Sequence, residues 1–248
     1  MKLSFLFARR TWLTTLLVIA MMAVFVRLGF WQIDRLHQRQ AQNAEITQLI
    51  AAPPLSLDRE PLPADLSQIR YRRAVASGTF DLSRQMALKV QNFDAMAGIH
   101  LIAPLVLPGG TQAILVDRGW IPDKLAASEN WAQFDQTGPL TVSGFLRPSE
   151  ELPARAGEPV PTPQQAWYRV DISAMQAQMP YRLLPVYLLQ LPGSEGNTDL
   201  PYRTEPEFDL SEGGHLGWAW QWWIFAAVAG VMYVNYVSRR SRNEHAAH

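Results

Sequence analysis

The sequence predicts a membrane protein in which two transmembrane α-helices flank a mainly antiparallel β domain of the α+β class on the extracytoplasmic side. Three observations carry this prediction. Residues 12–31 and 215–237 are apolar over the length a bilayer demands, arginines stand just outside both stretches, and the hydrophobic period between them becomes two. About 20 residues at ~1.5 Å each span the ~30 Å hydrocarbon core.

Taken in chain order, residues 1–11 form a basic N-terminal segment with Lys2, Arg9 and Arg10. The first apolar stretch, "WLTTLLVIAMMAVFVRLGFW", carries one charge, Arg27, a turn from its end where its stem can snorkel to the interface. Its length, and the lack of a small-x-small site before Arg27, favour an anchor over a cleaved signal peptide. The Arg9–Arg10 pair reads as a topology signal rather than an export motif.

Ile33, Leu36, Ile46, Leu49 and Ile50 continue a helical spacing through polar residues, so the first helix is expected to extend outward as a stalk. Pro53 and Pro54 stop it, because proline lacks the amide donor and disfavours helix in the residue before it. Beyond Tyr71 come seven short candidate strands: "YRRAVASGTF", "QMALKVQN", "IHLIAPLVL", "QAILVDRGW", "LTVSGFLRP", "WYRVDI" and "PVYLLQ". "PGGT" between the third and fourth predicts a hairpin.

Only "DKLAASENWAQF" and "ISAMQAQM" read as short helices within the domain, and Pro153–Gln165 is too rich in proline for a core element. The domain is thus bounded at residues 32–214. The second apolar stretch has no charge from Leu216 to Val237, and Arg239, Arg240 and Arg242 follow it in a tail at 238–248. The positive-inside bias then puts both termini in the cytoplasm.

Several function classes are disfavoured at once. A formal net charge of zero argues against nucleic-acid binding. The absence of cysteine removes disulfides, thiolate metal sites, CxxC redox chemistry and covalent haem attachment. No HExxH, GxSxG, GxxxxGK[ST] or GxGxxG occurs, and Glu150–Glu151 lacks a partner to split its pKa values, so no enzyme is predicted.

His215 opens the second apolar stretch, with Trp218 and Trp222 at i+3 and i+7 on the same face and Trp220 and Trp223 pointing elsewhere. Two readings stand. Tryptophans gather at membrane interfaces in any case. Alternatively, a neutral imidazole ligates iron, and a large planar cofactor needs aromatic walls with polarity at its edge. A haem would also need cations near its propionates. Arg27, Trp31 and Arg35, at i, i+4 and i+8, line one side of the first helix at the same membrane face.

His100 sits in an alternating strand and reads as a structural histidine, and Met175 with Met179 as core packing. His245 and His248 fall in the tail. "VDRGWIP" requires Gly119 for a conformation or close approach that other residues resist, and Pro122 to end the ladder. It places Arg118 at a strand end, either buried with Asp117 or presented to a partner.

Together these fragments resemble the surfeit-locus family of cytochrome c oxidase assembly proteins. "LGFWQIDRLHQR" is similar to the family's L-G-x-W-Q-x-x-R-x-x-x-K/R at Leu28, Gly29, Trp31, Gln32, Arg35 and Arg39. "YRRAVASGTFD", "ILVDRGWIP", "VSGFLR", "WYRVD" with Arg169, and "HLGWAWQW" follow in the family's order. The last departs from the pattern at two positions: Gly214 stands where Asn or Glu is common, and Trp218 where Tyr is common.

The resemblance implies a bacterial inner-membrane assembly factor, not an enzyme, that binds haem A and aids its insertion into the catalytic subunit of a haem–copper oxidase. It implies His215 as the iron ligand, and the spacing argument adds Trp218 and Trp222 as walls and Arg27, Trp31 and Arg35 near the propionates. Partners would be that subunit, a haem A synthase and the lipid bilayer. The competing expectation is a scaffold without cofactor that stabilises an oxidase subunit or intermediate, using Arg118, Gly119, Trp120 and Arg169 as its structural or docking motif. A two-span sensor is a weaker reading, because the tails are too short for an output module.

Overall fold

The computed structural model describes residues 12–150, 164–193, 196 and 199–246, so most of the proline-rich Pro153–Gln165 stretch lies outside the described residues, as do Lys2, Arg9, Arg10 and His248. The chain divides into two compact units, one of residues 1–46 with 209–248 and the other of Thr47–Phe208.

α1 (Trp12–Ala51), which lies in the first unit up to Ile46, runs unbroken for 40 residues, and α3 (His215–Ala246) for 32. Strong helix formers fill α1, and Pro53 ends it. α1 is long and apolar enough to cross a membrane, and among the described residues no other helix passes that test. The four tryptophans of α3, with Gln221, Asn235 and two tyrosines, make it less apolar than α1 despite its length. α3 also continues through Arg239 and Arg240, where the sequence suggested a tail, because no proline or glycine interrupts it.

Thr15, Gly29, Leu36 and Asn43 are buried at multiples of seven along α1, and Gln32 and Ile46 add the position three further on. That period is a heptad seam, and α3 faces it with buried Ala219, Ala226 and Val237. The helices run antiparallel. At one end Thr15 Oγ1 and Tyr233 Oη share a 2.6 Å hydrogen bond, and at the other His215 meets Gln32. Small residues set the spacing: a Cβ on Gly29 would overlap the Trp223 indole, and one on Gly230 would lie 2.9 Å from Met22 Cε.

Gly29→Ala is therefore expected to destabilise the helix pair by roughly 1–3 kcal/mol through overpacking. Gly217→Ala, on the open side of α3, meets nothing within 4 Å and should be neutral or stabilising. Thermal unfolding of the full chain in detergent distinguishes the two, and equal effects would contradict the seam.

The second unit is built from β1 (Leu55–Ser56), β2 (Arg73–Phe80), β3 (Met86–Phe93), β4 (Met96–Val106), β5 (Gln112–Pro122), β6 (Pro139–Pro148), β7 (Ala166–Trp167), α2 (Ile172–Gln176) and β8 (Arg182–Gln190). The sheet order is β1-β2-β6-β8-β5-β4-β3-β7, and a further β2–β4 pairing at Thr79–Val106 and Phe80–Leu105 closes five strands into a barrel. Most pairs are antiparallel, as the sequence predicts. β5–β8, β1–β2 and β3–β7 are parallel.

Ala76, Leu105, Ile114, Val116, Val142, Leu146, Val186 and Leu188 fill the barrel. β3 and β7 carry the sheet past it, and with α2 they enclose Met86, Leu88, Ile102, Leu115, Trp167, Met175 and Tyr187. β5 is buried on both faces from Ala113 to Ile121, which accounts for its continuous apolar run. The predicted hairpin joins β4 to β5 through Gly109 and Gly110, both at positive φ.

Two expectations are revised. "WYRVDI" contributes a strand only at Ala166–Trp167, because the Asp171 carboxylate accepts from the Ala174 amide at 3.0 Å and starts α2 instead. "DKLAASENWAQF" forms two 3-10 segments, Asp123–Leu125 and Ser128–Phe134, rather than an α-helix. Seven residues there pack Trp131 into a small third cluster with Ile99, Leu101 and Ile121.

Candidate functional site

His215 is the first residue of α3, set there by the Gly213–Gly214 pair, with Gly213 at φ +70°. Its Nδ1 lies 2.9 Å from Gln32 Oε1 across the helix pair. Gln32 is 3% exposed on the seam, so its amide is held by packing. Among the described residues, Nε2 of His215 has no hydrogen-bond partner.

Trp222 packs its ring 5.6 Å from Phe25 and 6.0 Å from Phe225. Trp223 fits over Gly29, 5.5 Å from Phe30 and 5.4 Å from Trp220. Trp218 stays 60% exposed. A Cβ on Gly214 would come 3.3 Å from Trp218 Nε1, so the two departures from the family pattern touch: the small residue makes room for the large one.

On α1, the Arg35 guanidinium stands 5.7 Å over the Trp31 ring and donates to Gln38 Oε1 at 3.2 Å. Trp31 and Arg35 are exposed. Arg27 is exposed as well, and five residues before Gln32 it lies roughly 140° around the helix from it. The structure therefore joins His215 to Gln32 and stacks Arg35 on Trp31, but it does not bring Arg27 to His215.

A clamp unforeseen in the sequence fixes the chain leading into His215. Arg39 donates to the carbonyls of Ser211 and Asp209, both at 3.0 Å, and to Asp209 Oδ2 at 3.2 Å. Asn43 donates to the Leu210 carbonyl at 2.6 Å, and Gln40 to Glu212 at 3.1 Å. Hydrogen bonds from Ser211, then the nearby Arg39 charge, hold the Asp209 carboxyl below its usual value. The i, i+4 spacing of Arg39 and Asn43 was the available signal.

In the β unit, the "VDRGWIP" segment is interior. Arg118 is fully buried, donates to Gln85 Oε1 and the Phe134 carbonyl, and stands 5.1 Å over the Phe80 ring. Burial pulls its guanidinium down to about 10, with Asp135 opposing and Arg203 adding, so it remains charged at neutral pH. Asp117 Oδ2 lies 2.7 Å from His100 Nδ1, and its Oδ1 accepts from the Gly119 amide at 3.0 Å. His100 is thus a structural partner.

Gly119 has φ +118°. Trp120, 2% exposed, stacks on Tyr202 and exchanges backbone hydrogen bonds of 2.7 and 2.8 Å with it. Phe93 packs on both rings at 5.4 and 5.3 Å. Arg169 is partly exposed. Burial makes Arg118, Gly119 and Trp120 a support for the fold rather than a contact surface.

Tyr187 donates to Glu150 at 2.9 Å; burial, then the Glu150 charge, raises its phenol above the ordinary value. A groove of about 770 Å³ runs along β3 between Lys89, Trp131 and Tyr168. Its charged residues, Lys89 and Asp123, make no pair suited to acid–base work. Among the described residues, no three His, Asp or Glu side chains gather as a metal site.

An imidazole engaged at Nδ1 keeps Nε2 for a metal, Trp222 packs on Phe25 two turns further along α3, and a cation stands on α1 one turn beyond Gln32. Among the described residues this donor set offers a metal one imidazole nitrogen.

A model of the SURF1 family matches residues 19–227. The chain is 27% identical to a SURF1-like protein of Monosiga brevicollis over 234 residues, which covers 87% of this chain and 84% of the relative. It is 26% identical to a SURF1-like protein of Caenorhabditis elegans over 90% of this chain and 74% of that one. With Surfeit locus protein 1 of Mus musculus the identity is 25%, over 60% of this chain and 52% of the other.

Proposed function

The chain belongs to the SURF1 family, and on that premise we propose that it is a membrane-anchored assembly factor for a haem–copper cytochrome c oxidase, which holds haem A at His215 and aids its insertion into the catalytic subunit. The observation that carries this reading is the His215–Gln32 contact, an imidazole oriented by a buried amide with its second nitrogen uncommitted. When bound, a haem would supply an iron centre, and His215 would hold it through Nε2. Trp222 and Trp218 would wall its ring, and Arg35, stacked on Trp31, would pair with a propionate; Arg27 is left to the lipid headgroups. A single neutral imidazole donor suits a cofactor that must be handed on.

On this reading α3 is a second membrane span. Its antiparallel pairing with α1 supports that placement, since Thr15 and Tyr233 meet at one end and Gln32 and His215 at the other. Both termini then lie in the cytoplasm of a bacterial cell, and the β unit lies in the periplasm. Haem A synthase supplies the cargo and the oxidase catalytic subunit receives it.

The test is complementation of a gene deletion with wild-type and His215→Ala protein, followed by pigment extraction from the purified oxidase. His215→Ala should accumulate in the membrane to the wild-type level yet restore far less haem A to the oxidase. Full restoration would favour the scaffold without cofactor.

A further inference from the structure

We infer that Gln32 is the positioning residue of His215: its side-chain carbonyl accepts from the His215 Nδ1–H and thereby reserves the Nε2 lone pair for a metal. The inference rests on the haem reading of His215, but its core, control of the imidazole tautomer, stands apart from any cofactor.

A neutral imidazole has one N–H and one lone pair, and whichever nitrogen finds an acceptor carries the proton. In water the Nε2–H form prevails, which would leave the wrong nitrogen free. Gln32 reverses that choice, because Oε1 lies 2.9 Å from Nδ1 and can only accept. The amide is fixed as well. It is 3% exposed and sits on the seam between Gly29, which lies under Trp223, and buried Leu36.

His215 is fixed from its other side, because Arg39 and Asn43 bind the carbonyls of residues 209–211 that lead into α3. One helix thus both anchors the approach to the histidine and orients its ring. Metal-bound histidines are held in this way by an acceptor on the second nitrogen, and its loss typically weakens binding 10- to 100-fold. A neutral amide also polarises imidazole less than a carboxylate would, as a releasable ligand requires.

The test uses the full-length protein in detergent micelles, labelled with ¹⁵N-histidine, in wild-type, Gln32→Leu and Gln32→Glu forms. His215→Gln assigns the His215 signals among the five histidines of the chain. Without cofactor, wild-type His215 should carry its proton on Nδ1, Gln32→Leu should convert it to the Nε2–H form, and Gln32→Glu should keep it on Nδ1. Titration with haem should then show about tenfold weaker binding for Gln32→Leu and none of that loss for Gln32→Glu.

An Nε2–H tautomer in the wild type, or a tautomer unchanged in Gln32→Leu, would overturn the inference. Should the tautomers behave as expected while the wild type takes up no haem, Gln32 still sets the imidazole and the haem reading fails instead. Far-UV circular dichroism tells a lost orientation from a lost helix pair, and Gln32→Met, which also lacks the acceptor, decides the matter if Gln32→Leu does not fold.

Discussion

Arg118→Ala is expected to destabilise the β unit by about 3 kcal/mol. The substitution orphans two buried acceptors, Gln85 Oε1 and the Phe134 carbonyl, each at a cost of ~1–3 kcal/mol, and opens a cavity beneath Phe80. Relief of a buried charge offsets part of this loss, since Arg118 Nε is itself buried without a partner. Arg118→Met fills most of the volume and discards the charge, so it should lose less. Thermal unfolding of the full chain in detergent measures both. A change under ~0.5 kcal/mol in Arg118→Ala, the range of surface substitutions, would show that the buried hydrogen bonds do not hold Ser128–Phe134 to the sheet.

Gly119→Val should cost about 2–4 kcal/mol. A side chain at φ +118° is strained on any L-residue, and here a Cβ would stand 2.5 Å from the Tyr202 carbonyl oxygen and 2.9 Å from its carbon. Tyr202 would have to retreat, taking with it the two backbone hydrogen bonds to Trp120 and the stacking of Phe93, Trp120 and Tyr202. The Asp199–Phe208 segment should then become a preferred site of limited proteolysis. An unchanged cleavage pattern together with an unchanged unfolding midpoint would contradict the close approach assigned to Gly119.

Much of the architecture was legible because local chemistry and tertiary packing agree. Proline closes α1 after Ala51, glycines at positive φ turn β4 into β5, and alternation marks β2 and β6. The barrel closure was not legible, since β2 meets β4 at only two residue pairs and no local pattern encodes them. The parallel entry of β8 between β5 and β6 is hidden for a related reason: β5 is buried on both faces, which leaves no alternation to read.

At the candidate site the sequence marked His215 by its place before an apolar run, and the family resemblance sharpened it. The family's motif includes Gln32, but its role was hidden because its partner is 183 residues away and because the seam includes Thr15, Gln32 and Asn43, polar residues that hide a heptad from any hydrophobic count. Arg27 suited the sequence argument through spacing from Trp31, yet the seam fixes which side of α1 faces α3, and Arg27 falls on the other. Arg118 illustrates the reverse problem. A strand-end arginine beside an aspartate reads equally as a docking residue or a buried strut, and only its burial distinguishes them.

The central claim is that His215 supplies the axial nitrogen of a bound haem. The most direct measurement is the haem spectrum of the protein purified after co-expression with a haem A synthase, in wild-type and His215→Ala forms matched for yield. Wild-type protein should carry haem A with the Soret band and ligand-field signature of an imidazole-bound iron, and His215→Ala should lose the bound pigment or shift that signature. Equal haem content with identical spectra in the two forms would contradict the claim.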